Sequence, residues 1–178
     1  MNLANALDRR QQVLSRLYAL LADMTIPLAG GDNGATAIIP GNIVLNRNEL
    51  PGNLVPGLIL LDGDEVRDRS KPQPERGQVE NMVPTQVMRM TPEVYIVLDT
   101  RTPKNKNVGD DLNTARIAIL AAIMTDATLQ SIVGGNGNIW LDGSVTDLSR
   151  GRQMKGQMGL SFTFQYPLIA GEYTGTPG

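Results

Sequence analysis

The sequence lacks both cysteine and histidine. Disulfide bonds, thiolate nucleophiles, zinc sites built on these residues and imidazole acid–base chemistry are therefore excluded. Serine and threonine are present, but no histidine is there to activate them as nucleophiles. Most of the common catalytic arrangements are thus ruled out by composition alone.

Aromatic residues are also scarce, and neither charge predominates. Phe, Trp and Tyr make up 4% of the chain, and 16 basic residues face 18 acidic ones, which gives a net charge of −2. Without a positive excess to neutralise phosphates, dedicated nucleic-acid binding is not expected. No run of about 18 apolar residues is present and the N-terminal segment is mixed and charged, so we expect a soluble product made in the cytosol.

The length predicts one domain over residues 1–178, because 178 residues are enough to bury a core. The chain holds 19 glycines and 11 prolines, and these concentrate in two predicted loops, 25–57 and 65–84, and in a flexible tail, 170–178. A loop of about 30 residues is long for a compact domain, so the first of these is functional, mobile or held from outside the subunit. Short apolar runs inside it, 37–39 and 43–45, suggest a paired outlying ribbon.

Two amphipathic segments predict helices. Apolar residues recur every three or four positions from Leu3 to Met24, and Arg10 falls within that apolar stripe, either as a snorkelling side chain or as a contact to another subunit. The second helix runs from Leu112 to Ala127 after Asp110 and Asp111, which we interpret as its caps. A shorter helical piece follows. Because apolar residues nearly encircle the second helix, we expect it to be covered on more than one side.

Short apolar or alternating runs predict the strands. LILL (58–61) and VYIVL (94–98) are apolar on both faces, and Thr85 to Met90 is also strand-like. NIWL (138–141) is short, and 158–168 alternates between apolar and polar residues. Pro92 requires either a turn or a bulge before VYIVL. The prediction is an α+β fold, with a mainly antiparallel sheet of four or five strands covered by two helices. Surplus apolar surface and long loops indicate assembly into a ring.

Possible chemical sites are weak. Asp62, Asp64, Glu65 and Asp68 are dense in carboxylates, but the spacing lacks the glycine and distal glutamate of a calcium loop, so we interpret them as a solvated strand end. The GGNGN segment (134–138) lacks the lysine and hydroxyl residue of a phosphate loop and is predicted to form a turn. No metal ion and no cofactor is expected.

The order of motifs resembles the tail terminator, or tail completion, proteins of long-tailed bacteriophages. The resemblance rests on the succession of NRNELP, LILLDGDE, MTPEVYIVL, the alanine-rich helix leading to GGNGNIWLDG, and the final MGLSFTFQYPL. It implies a homohexameric ring that caps the tail tube, ends its polymerisation and provides the surface for head attachment. The partners would be the tail tube protein and a head–tail connector or stopper, with DNA passing through the ring without specific binding and no membrane involved. The protein would be a non-enzymatic part of the virion, in its tail or neck, assembled in the host cytoplasm.

Arg10 on the first helix and basic side chains on the predicted loops are our candidates for contacts with other subunits or partners. Ordinary solvated loops and a nucleic-acid patch are the alternatives for the basic ones. The candidates are Arg10, Arg47, Arg67, Arg69, Arg101, Lys104, Lys106, Arg150 and Arg152.

Three other functions remain open from sequence. The protein could be another ring of the phage neck, which differs from a terminator in its partner only. It could be a hydrolase that uses Asp62 and Asp64 as a carboxylate pair, or a nucleic-acid binder.

Overall fold

A computed structural model describes residues 8–29, 37–68, 85–100, 108–149 and 154–169. The fold is α+β. Its three helices are α1 (Arg9–Ala22), α2 (Val108–Thr125) and α3 (Ala127–Val133). Its strands are β1 (Ile26–Pro27), β2 (Ala37–Ile38), β3 (Ile43–Leu45), β4 (Gly57–Leu61), β5 (Glu65–Arg67), β6 (Thr85–Met90), β7 (Glu93–Thr100), β8 (Ile139–Ser149) and β9 (Met154–Ile169).

The main sheet is organised around β9, its longest strand. One side of β9 pairs with β8, and the other side pairs first with β7 and then with β6, which follow each other along the same edge. Beyond them, β4 pairs with β7 and β5 pairs with β6, and β3 runs parallel to β4. All the other pairings in this sheet are antiparallel.

The sheet has seven strands, so the prediction of four or five is wrong. The two strands that the prediction missed are β3 and β5, which lie in segments predicted as loops. A kink also divides two rows of the sheet. At Asp62–Asp64 the row formed by β4 and β5 is interrupted, and at Thr91–Pro92 the adjacent row of β6 and β7 is interrupted beside it. The Thr91 amide donates to the Asp64 carbonyl at 2.9 Å, which holds the two breaks together.

Pro92 lies within this kink and not in a reversal of the chain. Strands β6 and β7 both run antiparallel to β9, and the Phe162 amide of β9 donates to the Pro92 carbonyl at 3.0 Å. A proline offers no amide to a neighbouring strand, so it is tolerated where the pairing is interrupted. The register against β9 is the same on both sides of Pro92, with Met90 opposite Phe164 and Glu93 opposite Ser161, so Pro92 marks neither a turn nor a bulge in its own strand. The extra residue lies in the neighbouring row, where residues 62–64 face residues 91–92.

Helix α1 buries one stripe of aliphatic residues, as its periodicity predicts. Asp8 caps its N-terminus by accepting a 2.7 Å hydrogen bond from the Gln11 amide. The buried residues are Val13, Leu14, Leu17 and Leu21. The predicted first turns, at 3–7, lie outside the described residues.

Helix α2 packs one side against β7 and β9. Ala115, Ile119 and Ile123 are fully buried, whereas Ile117 on the outer side is 61% exposed. The described part of the chain therefore does not cover α2 all round, and cover from a second subunit stays a prediction. No single described helix is long and apolar enough to span a bilayer. Only α2 and α3 taken together have the required length and composition, and they are bent by 56° at their junction.

The predicted short helix after α2 is confirmed as α3. Its N-cap is Asp126, whose side chain accepts from the Leu129 amide at 2.7 Å, and it ends at Gly134, whose φ of 82° is left-handed. The described fold therefore has three helices, whereas two covering helices were predicted. Asp111, predicted as a cap of α2, is instead buried and accepts from the Ala29 amide at 2.5 Å.

Strand β4 is apolar on both faces, as predicted. Leu58 and Leu60 join the core beneath the helices, while Ile59, on the other face, is also buried at 3% exposure. The outward-facing side of this strand is therefore hidden within the chain, without cover from another subunit.

Several predicted loop boundaries are corrected by the strands. The segment 25–57 contains β1, β2, β3 and a short 3₁₀ turn at Gly52–Leu54, and the predicted loop 65–84 begins with β5. The expected ribbon between 37–39 and 43–45 is wrong, because β2 pairs with β1 whereas β3 joins the main sheet. The rest of the second loop, and the tail 170–178, lie outside the described residues.

Candidate subunit interface

Strand β8 forms one edge of the sheet. In the described part of the chain it pairs with β9 alone, so its other side carries unpaired backbone groups. It spans eleven residues, far more than the short strand predicted from NIWL. Side chains from Asp142 to Asp147 are exposed, and Val145 is 77% exposed, the highest value among the large apolar residues described. A long edge with an exposed β-branched residue is a template for pairing with another chain.

The opposite edge is formed by β3 and β5. Strand β5 pairs with β6 only, among the residues that the structure describes, and Val66 at its centre is 48% exposed. Arg67 on β5 and Arg47, which follows β3, are both exposed. This edge therefore presents two of the predicted contact residues, with an apolar side chain between unpaired backbone groups.

The kink at Asp62–Asp64 is held by a charged group from α1 and a hydroxyl from β9. Arg10 Nη2 donates to the Gly63 carbonyl at 3.2 Å and lies 3.9 Å from Asp62 Oδ2. Asp62 Oδ1 is buried with no hydrogen-bond partner among the described residues. On the other side of the kink, the Tyr166 hydroxyl donates to Glu65 Oε1. The position of β5 thus depends on polar contacts that α1 and β9 provide.

Tyr166 is expected to keep its proton where an ordinary tyrosine, with a pKa of about 10, ionises. Burial raises the pKa of Tyr166 most strongly, and its hydrogen bond to the Glu65 carboxylate raises it further. Because the folded pKa lies above the unfolded one, this group stabilises the fold fully below about pH 10, and the contribution is lost as the pH rises further. Phenolate absorbance during an alkaline titration checks this. The native protein should show a late ionisation that coincides with unfolding and that Tyr166→Phe removes, and an ordinary Tyr166 titration would contradict it.

The face of the sheet away from the helices carries buried polar residues that are all partnered. Gln165 donates to Asp68, and Thr163 donates to Asp142 at 2.5 Å. Asp142 also accepts from the Trp140 indole at 3.0 Å, at the point where β8 shifts its register against β9. This β-bulge separates the part of β8 beneath the helices from the exposed part beyond it.

Tyr95 covers a glycine on the same face. A Cβ at Gly159 would lie 3.0 Å from the Tyr95 ring, so the ring packs directly on the glycine backbone. The Tyr95 hydroxyl donates to Glu93 at 2.7 Å, and this bond, followed by burial, raises the pKa of Tyr95. An aromatic ring over a strand glycine supports the sheet where glycine has no side chain to pack.

The predicted contact residues fall into three groups. Arg47 and Arg67 lie exposed at the β3–β5 edge. Arg10 is half-buried and bonded within its own subunit, which accounts for its place in the apolar stripe, so a contact to another subunit stays a prediction. The others lie outside the described residues: Arg69, Arg101, Lys104, Lys106, Arg150 and Arg152.

The predicted acidic cluster is spread over the kink. Asp62 faces Arg10, Glu65 holds Tyr166 and Asp68 binds Gln165. Within the described ranges, no three acidic side chains come together in a way that could hold a metal ion. The GGNGN segment forms the predicted turn and leads directly into β8.

Sequence reasoning missed the ion pair that joins α1 to α3. Arg16 binds Asp126 with both ends of its guanidinium, Nε to Oδ1 at 3.1 Å and Nη2 to Oδ2 at 2.5 Å. Arg9 adds a 2.8 Å bond to the Ile132 carbonyl. These partners lie more than 100 positions apart, so no local pattern in the sequence predicts the contact.

Comparison with known proteins assigns no family. Neither a protein-family model nor a curated protein matches the chain.

Proposed function

We propose that this protein is a structural ring subunit of a phage neck that caps the tail tube, as tail terminator proteins do. The observation that carries the proposal is the pair of edges that the described residues leave unpaired in the main sheet, β8 on one side and β3 with β5 on the other. Each edge exposes a valine among unpaired backbone groups, Val145 and Val66. A subunit with two such edges is suited to neighbours on both sides, which is what a ring requires.

The resemblance in motif order supports the same function. The segments that carry it are elements of the sheet and its kink: LILLDGDE is β4 with the kink, and MTPEVYIVL is the second break with β7. The partners are further copies of this chain, the tail tube protein and a head-side connector. The ring has to let DNA pass, and a net charge of −2 is consistent with weak attachment to phosphates.

Mixing the purified protein with polymerising tail tube subunits tests the proposal. A terminator is expected to shorten tubes in proportion to its concentration and to appear as a density at one tube end in negative-stain images. Unchanged tube lengths with bare ends would overturn the proposal in favour of a head-side ring.

A matched control addresses the hydrolase alternative. Asp64→Asn removes an exposed carboxylate beside the kink and keeps the side chain's size. Capping should persist in this variant, because surface complementarity and not a carboxylate reaction performs the task. Turnover of an ester or glycoside substrate by the wild type, lost in the variant, would favour the hydrolase.

A further inference from the structure

The outward-facing backbone groups of β8 follow from the alternation of hydrogen bonds along β9. Successive residues of an antiparallel strand direct their backbone N–H and C=O groups to alternate sides. The Phe162 amide donates to Pro92, away from β8, so Gly159, three positions earlier, directs its backbone groups toward β8. Gly159 pairs with Val145, so the backbone groups of Val145 are directed toward β9 and are hydrogen-bonded within the sheet. Ser144 and Thr146, on either side of Val145, direct theirs to the free edge.

Strand β5 has a matching pattern. The Thr91 amide donates to the Asp64 carbonyl, and the Asp68 amide donates to the Val87 carbonyl. Asp64, Val66 and Asp68 therefore direct their backbone toward β6, whereas Glu65 and Arg67 direct theirs outward.

Val145 and Val66 lie on one face of the sheet. Val145 pairs with Gly159 of β9, and Val66 pairs with Arg89, which pairs with Gln165 of β9. Gly159 and Gln165 are six positions apart on the same strand, so their side-chain positions share a face. Both valines are thus exposed at opposite edges on the side away from the helices.

The strand directions allow one copy to continue the sheet of the next. The path β8–β9–β6–β5 is antiparallel at every step, so β5 runs opposite to β8. Val145 lies level with Gly159 of β9 and Val66 lies level with Gln165, so pairing the two valines staggers successive copies by six residues along the strands. Two copies related by a rotation about an axis inclined to the strands place β5 of one antiparallel to β8 of the other with this stagger, as shear does in a closed barrel. Their helices then lie on the same side, and the repeated contact closes into a ring when the rotation divides a full turn.

We propose that β8 of one copy pairs antiparallel with β5 of the next copy, with Val145 opposite Val66. The proposal rests on the ring function and names the strands that join its subunits. Ser144 faces Arg67 and Thr146 faces Glu65, and these two pairs give about four backbone hydrogen bonds. The valines occupy the pair between them, where opposed side chains are closest. A ring closed in this way pairs both β8 and β5 of every subunit, which a two-fold dimer through one of these strands does not.

Cross-linking tests the register, because the chain has no cysteine of its own. In the double variant Val66→Cys with Val145→Cys, each contact places two thiols at a separation that suits a disulfide. Mild oxidation of the full chain, free at high concentration and on tail tubes, should give a ladder of covalent oligomers up to the ring. The pair Val66→Cys with Ser144→Cys is the control, since Ser144 lies one position away on the other face and should not cross-link.

The single variants and the capping assay distinguish the remaining outcomes. Disulfide dimers of Val145→Cys alone would show that β8 pairs with itself and would overturn the proposal. Tubes capped by the double variant without any ladder would overturn the edge pairing and leave the proposed function standing. A ladder without capping would support the pairing and remove the proposed function, and neither ladder nor capping would remove both.

A gain-of-contact variant excludes misfolding as the explanation. The proposed register places Asp147 of one copy opposite Asp64 of the next, which is a like-charge pair across strands. Asp147→Asn in the double-cysteine background should raise the rate of ladder formation severalfold at low salt. An unchanged or lower rate would contradict this register.

Discussion

Gly63→Ala is expected to destabilise the fold by about 3 kcal/mol or more, through left-handed strain and overpacking combined. Gly63 has a φ of +68°, and a Cβ there would lie 1.8 Å from the Thr91 carbonyl oxygen. The clash involves backbone on both sides, so rotation of a side chain does not relieve it. Urea unfolding, followed by circular dichroism, measures the loss in the free energy of unfolding.

Gly41→Ala is the matched control for this substitution. Gly41 has a similar φ of +83°, but a Cβ there meets nothing within 4 Å. The expected loss in the free energy of unfolding is the cost of a left-handed backbone at a residue with a Cβ, about 1 kcal/mol. Equal losses in the two variants would show that the close approach of the Gly63 and Thr91 backbones does not matter for stability.

The kink variant also bears on assembly. Displacing Asp62–Asp64 moves β5, which begins two residues after Gly63 and carries Val66. Tube capping by any folded Gly63→Ala protein should therefore fall, whereas Gly41→Ala should cap as the wild type does.

Asp126→Ala is expected to cost about 2 kcal/mol, which combines an N-cap of about 1 kcal/mol with an ion pair of up to about 1 kcal/mol. The Asp126 side chain caps α3 and holds Arg16 of α1 at the same time. Because Arg16 is more than one-third exposed, solvent screening limits the ion-pair part. Thermal or urea unfolding measures the loss.

Asp126→Asn separates these two contributions. An asparagine keeps the cap acceptor but loses the charge, so it should cost less than half as much as alanine. Equal costs for the two variants would show that α3 gains nothing from its cap.

The ion pair gives this comparison a pH dependence. The hydrogen bond from Arg16 holds the pKa of Asp126 below its ordinary value of 3.8, with the Leu129 amide assisting and desolvation opposing. The stabilisation is therefore complete above about pH 4 and is lost as the pH falls through the folded pKa. The stability difference between wild type and Asp126→Asn should be constant near neutral pH and shrink in acid; a difference that persists unchanged in acid would contradict the assignment.

The sequence predicted those elements whose formation depends on residues close together in the chain. The aliphatic period of three to four residues predicted α1, and the alternation of Met158 to Leu168 predicted most of β9, because each pattern reports one buried face. The short helix α3 and the turn of the GGNGN segment were predicted for the same reason, whereas the cap at Asp126 was not predicted. Exposure of Ile117 was not, since the composition of a helix does not say which of its apolar sides a neighbour covers.

Composition and pattern by themselves determined that this protein has no cysteine or imidazole chemistry, that it combines helices with a mainly antiparallel sheet, and where most elements lie. Only the tertiary structure decided that two rows break together at Gly63 and Pro92 and that Arg16 reaches Asp126. It also decided that β8, and β3 with β5 on the other side, form the edges of the described sheet. These features depend on strand register and on contacts between residues far apart in the chain. Register is set by how distant segments pack on a common core, and a single sequence carries no local signal for it.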